Sequence, residues 1–386
     1  MNSPSVSVWK DAGWRAVAAA FALNGLLFGA WASRVPAFKD SFDLQPAMLG
    51  VLLLALAGGA IVAFPFAGVL SEKWGVERLT LRCAWAYAPA LVLISLAPNS
   101  WILGIALFLF GIFHGAMDVA MNGWGARTEQ RLETHTMPVF HAMFSLGAGI
   151  GAASGAAAAS LGYMPKVHFV VVAGLGAVLA ARTMLPARAA SPATATAAAS
   201  QPLFALPSSS LLLIGLIAFS TSMGEGAMAD WSAVFLRIVA QATEAQAALG
   251  YAAFSTTMVL TRLAGGFIVD RFGPAKTARL SGMTALIGFA AVIGAPGLPV
   301  ALAGFALIGV GYAIVMPIAF SRAANDPSMR PGPAIASVAT LAYGGMLLGP
   351  PIVGFIAQFS SLRVSFAVLA LLAGLTVLLA PGLRND

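Results

Sequence analysis

Two stretches decide how this chain is organised: GVLSEKWGVER over residues 68–78 and GFIVDRFGPAK over residues 266–276. Each sets a carboxylate directly before a basic residue, Glu72–Lys73 and Asp270–Arg271, between flanking glycines. Gly68 and Gly75 correspond to Gly266 and Gly273, an offset of 198 residues (266 − 68). The same offset carries Gly111 onto Gly309, Gly147 onto Gly345 and Gly151 onto Gly349. Self-similarity across half the chain means that one structural unit is used twice.

Around these loops the chain is apolar. Of its 386 residues, 59% are hydrophobic and 9% charged, against about 25% charged in soluble domains. Most of its apolar surface is therefore expected to meet lipid. A window of ~20 residues places twelve spans, with cores near 16–36, 47–70, 79–97, 101–123, 137–161, 167–185, 211–236, 246–269, 277–295, 299–321, 333–357 and 363–382. The longest interruption, PARAASPATATAAASQPLFALPSSS from Pro186 to Ser210, has linker composition. The expectation is an all-α membrane protein of twelve transmembrane helices in two pseudo-symmetric six-helix bundles, 1–186 and 211–386, joined by a cytoplasmic linker at 187–210. The run after Lys10 and Arg15 resembles a signal peptide, but with so many similar runs following it reads as an uncleaved first span.

The net charge of +7 could suggest nucleic acid, but the basic residues lie in short clusters between apolar runs. Fifteen fall on the side of the N-terminus. Only Arg34, Lys39, Lys166, Arg237 and Arg363 fall on the other, and Arg262 lies within a span. By the positive-inside rule both termini are cytoplasmic, and no nucleic-acid partner is expected. Cys83 is the only cysteine, which excludes an intramolecular disulfide and a thiolate metal site; it reads as packing. No HExxH motif, paired cysteines or P-loop points to an enzyme or a metal, no cofactor is implied, and no soluble output segment suggests a sensor.

Six spans per half, repeated once, is the organisation of a transporter built from parallel repeats. The loop pattern Gly-x-x-x-Asp-Arg-x-Gly resembles the major facilitator superfamily, and the resemblance extends over the whole chain. Gly266, Asp270, Arg271 and Gly273 match it. In the first copy, Gly68 and Gly75 match, Glu72 and Lys73 replace the Asp-Arg pair, and Arg78 follows. WASRVP (31–36), MDVAMN (117–122), HAMFSLGAGIG (141–151) and EGAMADWS (225–232) resemble a bacterial branch near the fucose permeases. The resemblance implies a multi-pass protein of the bacterial inner membrane, acting as a monomer on a small-molecule solute. The two loops read either as a gate, breaking and re-forming a charge pair between two states, or as topogenic charge clusters.

The polar groups inside the spans supply the candidate site. His114, Asp118 and Asn122 recur every four residues and share one helix face. A carboxylate in hydrocarbon costs at least about 2.5–3.5 kcal/mol, so it normally faces protein or water. With a turn centred near residue 130, span five should bring His141 level with Asp118, and Ser145 level with His114. At the 198 offset the second half has Tyr312, Met316, Phe320, Ala339 and Tyr343 in place of His114, Asp118, Asn122, His141 and Ser145. The fold does not require those groups, which favours function over mutual neutralisation of Asp118 and His141.

Glu225, flanked by Gly224 and Gly226, lies some fifteen residues into span seven, and Asp230 is expected near the surface and solvated. Trp231 is either an interfacial anchor or a stacking surface. Asn24 maps near Ser222 and is a candidate solute contact. Arg34 either snorkels or pairs with a carboxylate to close the outside, and Arg262 must find acceptors in a structural or gating role. The expected site is thus Asn24, His114, Asp118, Asn122, His141, Ser145, Glu225 and Trp231. Burial disfavours a charged carboxylate, so Asp118 and Glu225 are the candidates for a coupling proton. The expected activity is alternating-access transport of a small polar solute, such as a sugar or related metabolite, by proton symport. The alternative is proton-coupled efflux.

Overall fold

The computed structural model describes residues 8–133, 136–190, 209–327, 329 and 331–383. Among these the chain is helical, with no strand. The first six spans are α1 (Ala12–Ser41), α2 (Pro46–Trp74), α3 (Val76–Ile94), α4 (Ser100–Leu132), α5 (Met137–Ser160) and α6 (Pro165–Ala190). The last six are α7 (Ser209–Ile238), α8 (Glu244–Leu263) with α9 (Gly265–Phe272), α10 (Pro274–Gly294), α11 (Leu298–Tyr312) with α12 (Val315–Ala324), α13 (Pro331–Phe359) and α14 (Leu362–Leu379). Ten of these spans are long and apolar enough to cross a membrane, and the α8–α9 pair is an eleventh. The twelfth is α3, which carries Glu77, Arg78 and Arg82 in its first two turns.

Helix ends follow local chemistry. Asn99 caps α4 by accepting from Ile102 N, and Thr243 and Gln246 form a reciprocal capping box on α8. Gly75 and Gly273, the trailing glycines of the two repeated loops, take φ of +83° and +75°, a region in which a side chain would be strained. Gly68 and Gly266 lie inside α2 and α9, and a Cβ added at either would meet nothing within 4 Å. The turn is therefore made by the second glycine of each motif alone.

Span eight is broken: α8 and α9 are bent by 59° about Ala264. Helix α6 continues through Pro186 to Ala190. Most of the expected linker, residues 191–208, lies outside the described residues.

The chain packs as two units: one of Met1–Trp31, Leu56–Gly151 and Met164–Ser200, the other of Ala32–Ala55, Ala152–Tyr163 and Gln201–Asp386. In the first unit, backbones cross at glycines. A Cβ on Gly111 would stand 1.9 Å from the Leu56 carbonyl oxygen, and one on Gly147 would stand 2.0 Å from that of Ala22. The second unit repeats both crossings, with Gly309 against Phe254 O and Gly345 against Phe219 O, each at 2.3 Å. Small residues that admit another backbone are a common device of membrane helix packing.

Partners and glycines show how the repeat is aligned. Leu56 and Phe254 keep the 198 offset of Gly111 and Gly309. Ala22 and Phe219 are 197 apart (219 − 22), although Gly147 and Gly345 are 198 apart. Helix α7 is thus displaced by one residue from the alignment based on the loops, and Asn24 corresponds to Thr221 rather than Ser222. Asn24 Oδ1 and Thr221 Oγ1 are both buried without a hydrogen-bond partner.

Candidate functional site

In the first unit, α4 carries the polar face. Glu129, one turn before its end, accepts from the backbone N–H groups of Thr136 (2.6 Å) and Met137 (2.8 Å). This caps the start of α5 from the end of α4. The turn therefore lies beyond Leu132, not near residue 130, which shifts the depth at which α5 residues meet α4.

His114 is held on three sides. Its Nδ1 shares a 3.0 Å hydrogen bond with the Tyr87 hydroxyl of α3. Its ring stacks on Phe28 of α1 at 5.1 Å, and Phe144 of α5 lies 6.5 Å away. Asn24 is fully buried, and its Nδ2 donates to the His114 carbonyl oxygen at 3.4 Å, with Met121 Sδ at 3.7 Å. One helical turn further along α4, Asn122 Nδ2 donates to Asp118 Oδ1 (3.2 Å) and to the Asp118 carbonyl (2.9 Å). Asp118 and Asn122 are half-buried. Ser145 is buried and donates to the His141 carbonyl at 3.4 Å. His141 is exposed, with its ring edge-on to Phe21 at 5.2 Å. Asn24, His114, Asp118 and Asn122 thus cluster along α4 and α1, with aromatic rings at one end and a carboxylate–amide pair at the other.

The second unit joins two residues that the sequence left separate. Arg262, at the end of α8, donates through a guanidinium NH2 to Glu225 Oε1 of α7 at 3.3 Å. Its Nε donates to the Ala313 carbonyl at 3.2 Å. Ala313 lies where α11 stops and α12 has not begun, so Arg262 satisfies a carbonyl released by the break, as membrane interiors require. Gly224 lets α7 approach the Tyr312 ring, where a Cβ would stand 2.4 Å away. Tyr312 takes the place of His114, and the one-residue displacement of α7 puts Glu225 in the place of Phe28.

Trp231 is fully buried, with Nε1 donating to the Pro350 carbonyl at 3.2 Å. It therefore stands at no lipid–water boundary in this structure. Asp230 is also buried, at 8% exposure, which corrects the expectation that it is solvated.

Arg34 does not snorkel. It is 1% exposed, and its Nε lies 3.0 Å from Glu244 Oε1 at the start of α8. Its two NH groups donate to the carbonyls of Tyr163 (2.7 Å) and Gly155 (3.4 Å). Nearby in the fold, Arg237 of α7 pairs with Asp40 of α1 at 3.3 Å. Glu72, Lys73, Asp270 and Arg271 are exposed and form no ion pair among the described residues. Arg78 is exposed as well. Beside the first loop, Glu77 reaches Arg127 at 3.8 Å and Arg82 lies over the Trp74 ring at 4.1 Å. Next to the start of α1, Arg131 clasps Asp11 at 2.6 and 2.8 Å, and this hydrogen bonding holds the Asp11 carboxyl below its ordinary range.

Glu244, Tyr87, Tyr312 and Phe28 had not been singled out from the sequence. For Tyr87 and Tyr312 the signal was weak, because four of the chain's five tyrosines lie within spans. Glu244 read simply as the polar start of span eight.

Comparison with known proteins agrees with this architecture. The Major Facilitator Superfamily profile matches residues 16–331. An uncharacterised transporter of Sinorhizobium fredii is 44% identical over 96% of this chain and 98% of its own length. An uncharacterised transporter of the same type from Yersinia pestis is 37% identical over 92% and 91%. The membrane protein MosC of Rhizobium meliloti is 34% identical over 89% and 83%. Among solved structures, a mutant of the nucleoside transporter NupG superposes with a TM-score of 0.74 over 97% of this chain and 99% of its own, at 14% identity. A bacterial homologue of the lysosomal transporter Spinster gives 0.72 over the full length of both chains, also at 14% identity. These two likenesses concern the fold alone. With this architecture, the family profile over most of the chain and relatives that are named transporters, the chain belongs to the Major Facilitator Superfamily and is a multi-pass membrane transporter rather than an enzyme.

Proposed function

We propose that this transporter moves a small polar solute by alternating access, coupled to a proton in symport. It does so as a monomer in the bacterial inner membrane with both termini cytoplasmic. The observation that carries the reading is the polar face of α4. Asp118 is half-buried and paired to Asn122 on the same helix as a histidine held by Tyr87, Phe28 and Asn24. Such a group supports recognition of a hydroxylated solute: amide and imidazole for hydrogen bonds, aromatic rings for the apolar face of a ring, and a carboxylate able to exchange a proton. Asn24, His114, Asp118 and Asn122 are the proposed contacts. Ser145 donates to the His141 carbonyl, Glu225 pairs with Arg262, and Trp231 donates to the Pro350 carbonyl.

For the conformational cycle, Arg34 with Glu244 is the proposed latch on one side. The exposed pairs Glu72–Lys73 and Asp270–Arg271, set by Gly75 and Gly273, are available to form partners in another state. Gly68, Arg78 and Gly266 complete those loops. Arg262 is proposed to hold the α8 and α11 breaks together through Glu225 and Ala313.

The test is uptake into proteoliposomes under an imposed proton gradient, screened over sugars, polyols and nucleosides. Accumulation against a solute gradient that collapses in Asp118→Asn supports the reading. Full gradient-driven accumulation by that variant excludes Asp118 as the coupling carboxylate.

A further inference from the structure

Asp230 is the one intramembrane carboxylate for which the proposed cycle has no use. It sits in α7, five residues beyond Glu225, and is buried. Its Oδ1 has no hydrogen-bond partner, and no basic group pairs with it among the described residues. A bare carboxylate in such a place costs several kcal/mol or more, so an unpaired buried acid persists as the neutral species.

Among the described residues, the charged groups of the neighbouring elements are engaged elsewhere, Arg237 of α7 with Asp40 and the Ala242 carbonyl. From α8, Tyr251 is buried and carries no positive charge. Arg262 of α8 is held by Glu225 and Ala313. At the start of α8, Glu244 is engaged with Arg34. Helix α13 contributes no charged residue, and α11 contributes only Tyr312 as a titratable group. Arg363 of α14 is spent on the carbonyls of Ile293 and Ala295, and Arg322 of α12 on Asp326.

We propose that Asp230 is a proton-binding site of the second unit, with the proton on its carboxyl in this conformation, while Glu225 is paired with Arg262. The inference rests on the proton-coupled reading above and assigns its second-unit proton to a different residue. Release breaks the carboxyl O–H bond and passes the proton to water, leaving a carboxylate that this packing cannot hold. The α7–α8 seam, tight where a Cβ on Gly250 would stand 2.8 Å from Leu236 Cδ1, must then part to admit solvent. Proton loss and rearrangement of α7 against α8 become one event.

Infrared difference spectroscopy of the purified wild-type protein, with H2O/D2O exchange, reads the carbonyl stretch of a protonated carboxylic acid at neutral pH. The band is expected in wild type and in Glu225→Gln, and is expected to lose its Asp230 component in Asp230→Asn, whatever component a proton on Asp118 supplies. Absence of the band in wild type, or an undiminished band in Asp230→Asn, overturns the proposal. If Asp230→Asn does not fold, Asp118→Asn carrying carbon-13-labelled aspartate decides: a shifted band retained supports the site, and a band lost overturns it. Proton-driven uptake is a separate readout. A persistent Asp230 band without such uptake removes the coupling reading while the proton site stands, and intact coupling without the band removes the site alone.

Discussion

The Arg34–Glu244 pair allows a prediction about conformational balance. Replacing Glu244 by Gln removes the carboxylate charge and leaves a guanidinium 1% exposed with two carbonyl acceptors. Removing one member of a fully buried pair costs about 3–5 kcal/mol. Two features reduce that figure here. Glu244 keeps a third of its side chain exposed, and Nε and Oε1, although close, lack hydrogen-bond alignment. An effect of about 2 kcal/mol, or roughly thirtyfold in an equilibrium constant, follows. If the pair is a latch, that energy is lost only from the state in which it is made. The assay is a distance distribution between spin labels at exposed Ser41, ending α1, and exposed Leu249, in α8. Cys83 is replaced by serine in this background. Glu244→Gln is expected to move population from the short to a longer separation, and Arg34→Lys to do so less. An unchanged distribution in both Glu244→Gln and Arg34→Ala, with wild-type thermal midpoints, would refute the latch.

Other expectations are simpler to measure. Gly111→Ala and Gly309→Ala force a Cβ to within 1.9 and 2.3 Å of a carbonyl oxygen, so each should destabilise by at least about 1–3 kcal/mol. Gly174→Ala, with open space around it, should be neutral or gain up to ~1 kcal/mol from helix propensity. Thermal unfolding in detergent distinguishes these outcomes. Arg262→Met loses the bonds to Glu225 and Ala313 together and should cost about 1.5–3 kcal/mol per charge-assisted bond; Arg262→Lys, able to keep one, should fall between it and wild type in the same melts. Because Arg131 holds the Asp11 carboxyl below its ordinary value of 3.8, the pair stabilises the fold above that pH. The contribution disappears as pH falls through the lowered value. Arg131 is half-exposed, which keeps the effect within about 0–1 kcal/mol. Acid melts of Asp11→Asn against wild type should converge at low pH and differ above it.

The spans were readable because lipid demands long apolar helices, and the repeat was readable because Gly75 and Gly273 sit where only glycine is comfortable. Gly111 and Gly309 appeared as landmarks for the same kind of reason. Their lack of a side chain is what lets Leu56 and Phe254 come within contact. The candidate site was readable in part. His114, Asp118 and Asn122 announce themselves on one face of α4, since a helix fixes its own side-chain directions. Their partners Tyr87, Phe28 and Asn24 come from helices whose rotation the pattern does not specify.

What the sequence alone determined is therefore whatever one helix or one turn settles by itself: the number of spans, the two-fold repeat, the polar face of α4 and the left-handed glycines of the loops. Tertiary structure alone decided the pairings. Arg34 meets Glu244 across 210 residues of chain (244 − 34), Glu225 meets Arg262 beside a helix break, and α7 is displaced by one residue so that Asn24 answers Thr221. The physical reason is common to all three. An ion pair or a backbone crossing depends on the depth and rotation of two separate helices, and a single residue of slippage turns a side chain by 100° without leaving any mark on the hydropathy of either.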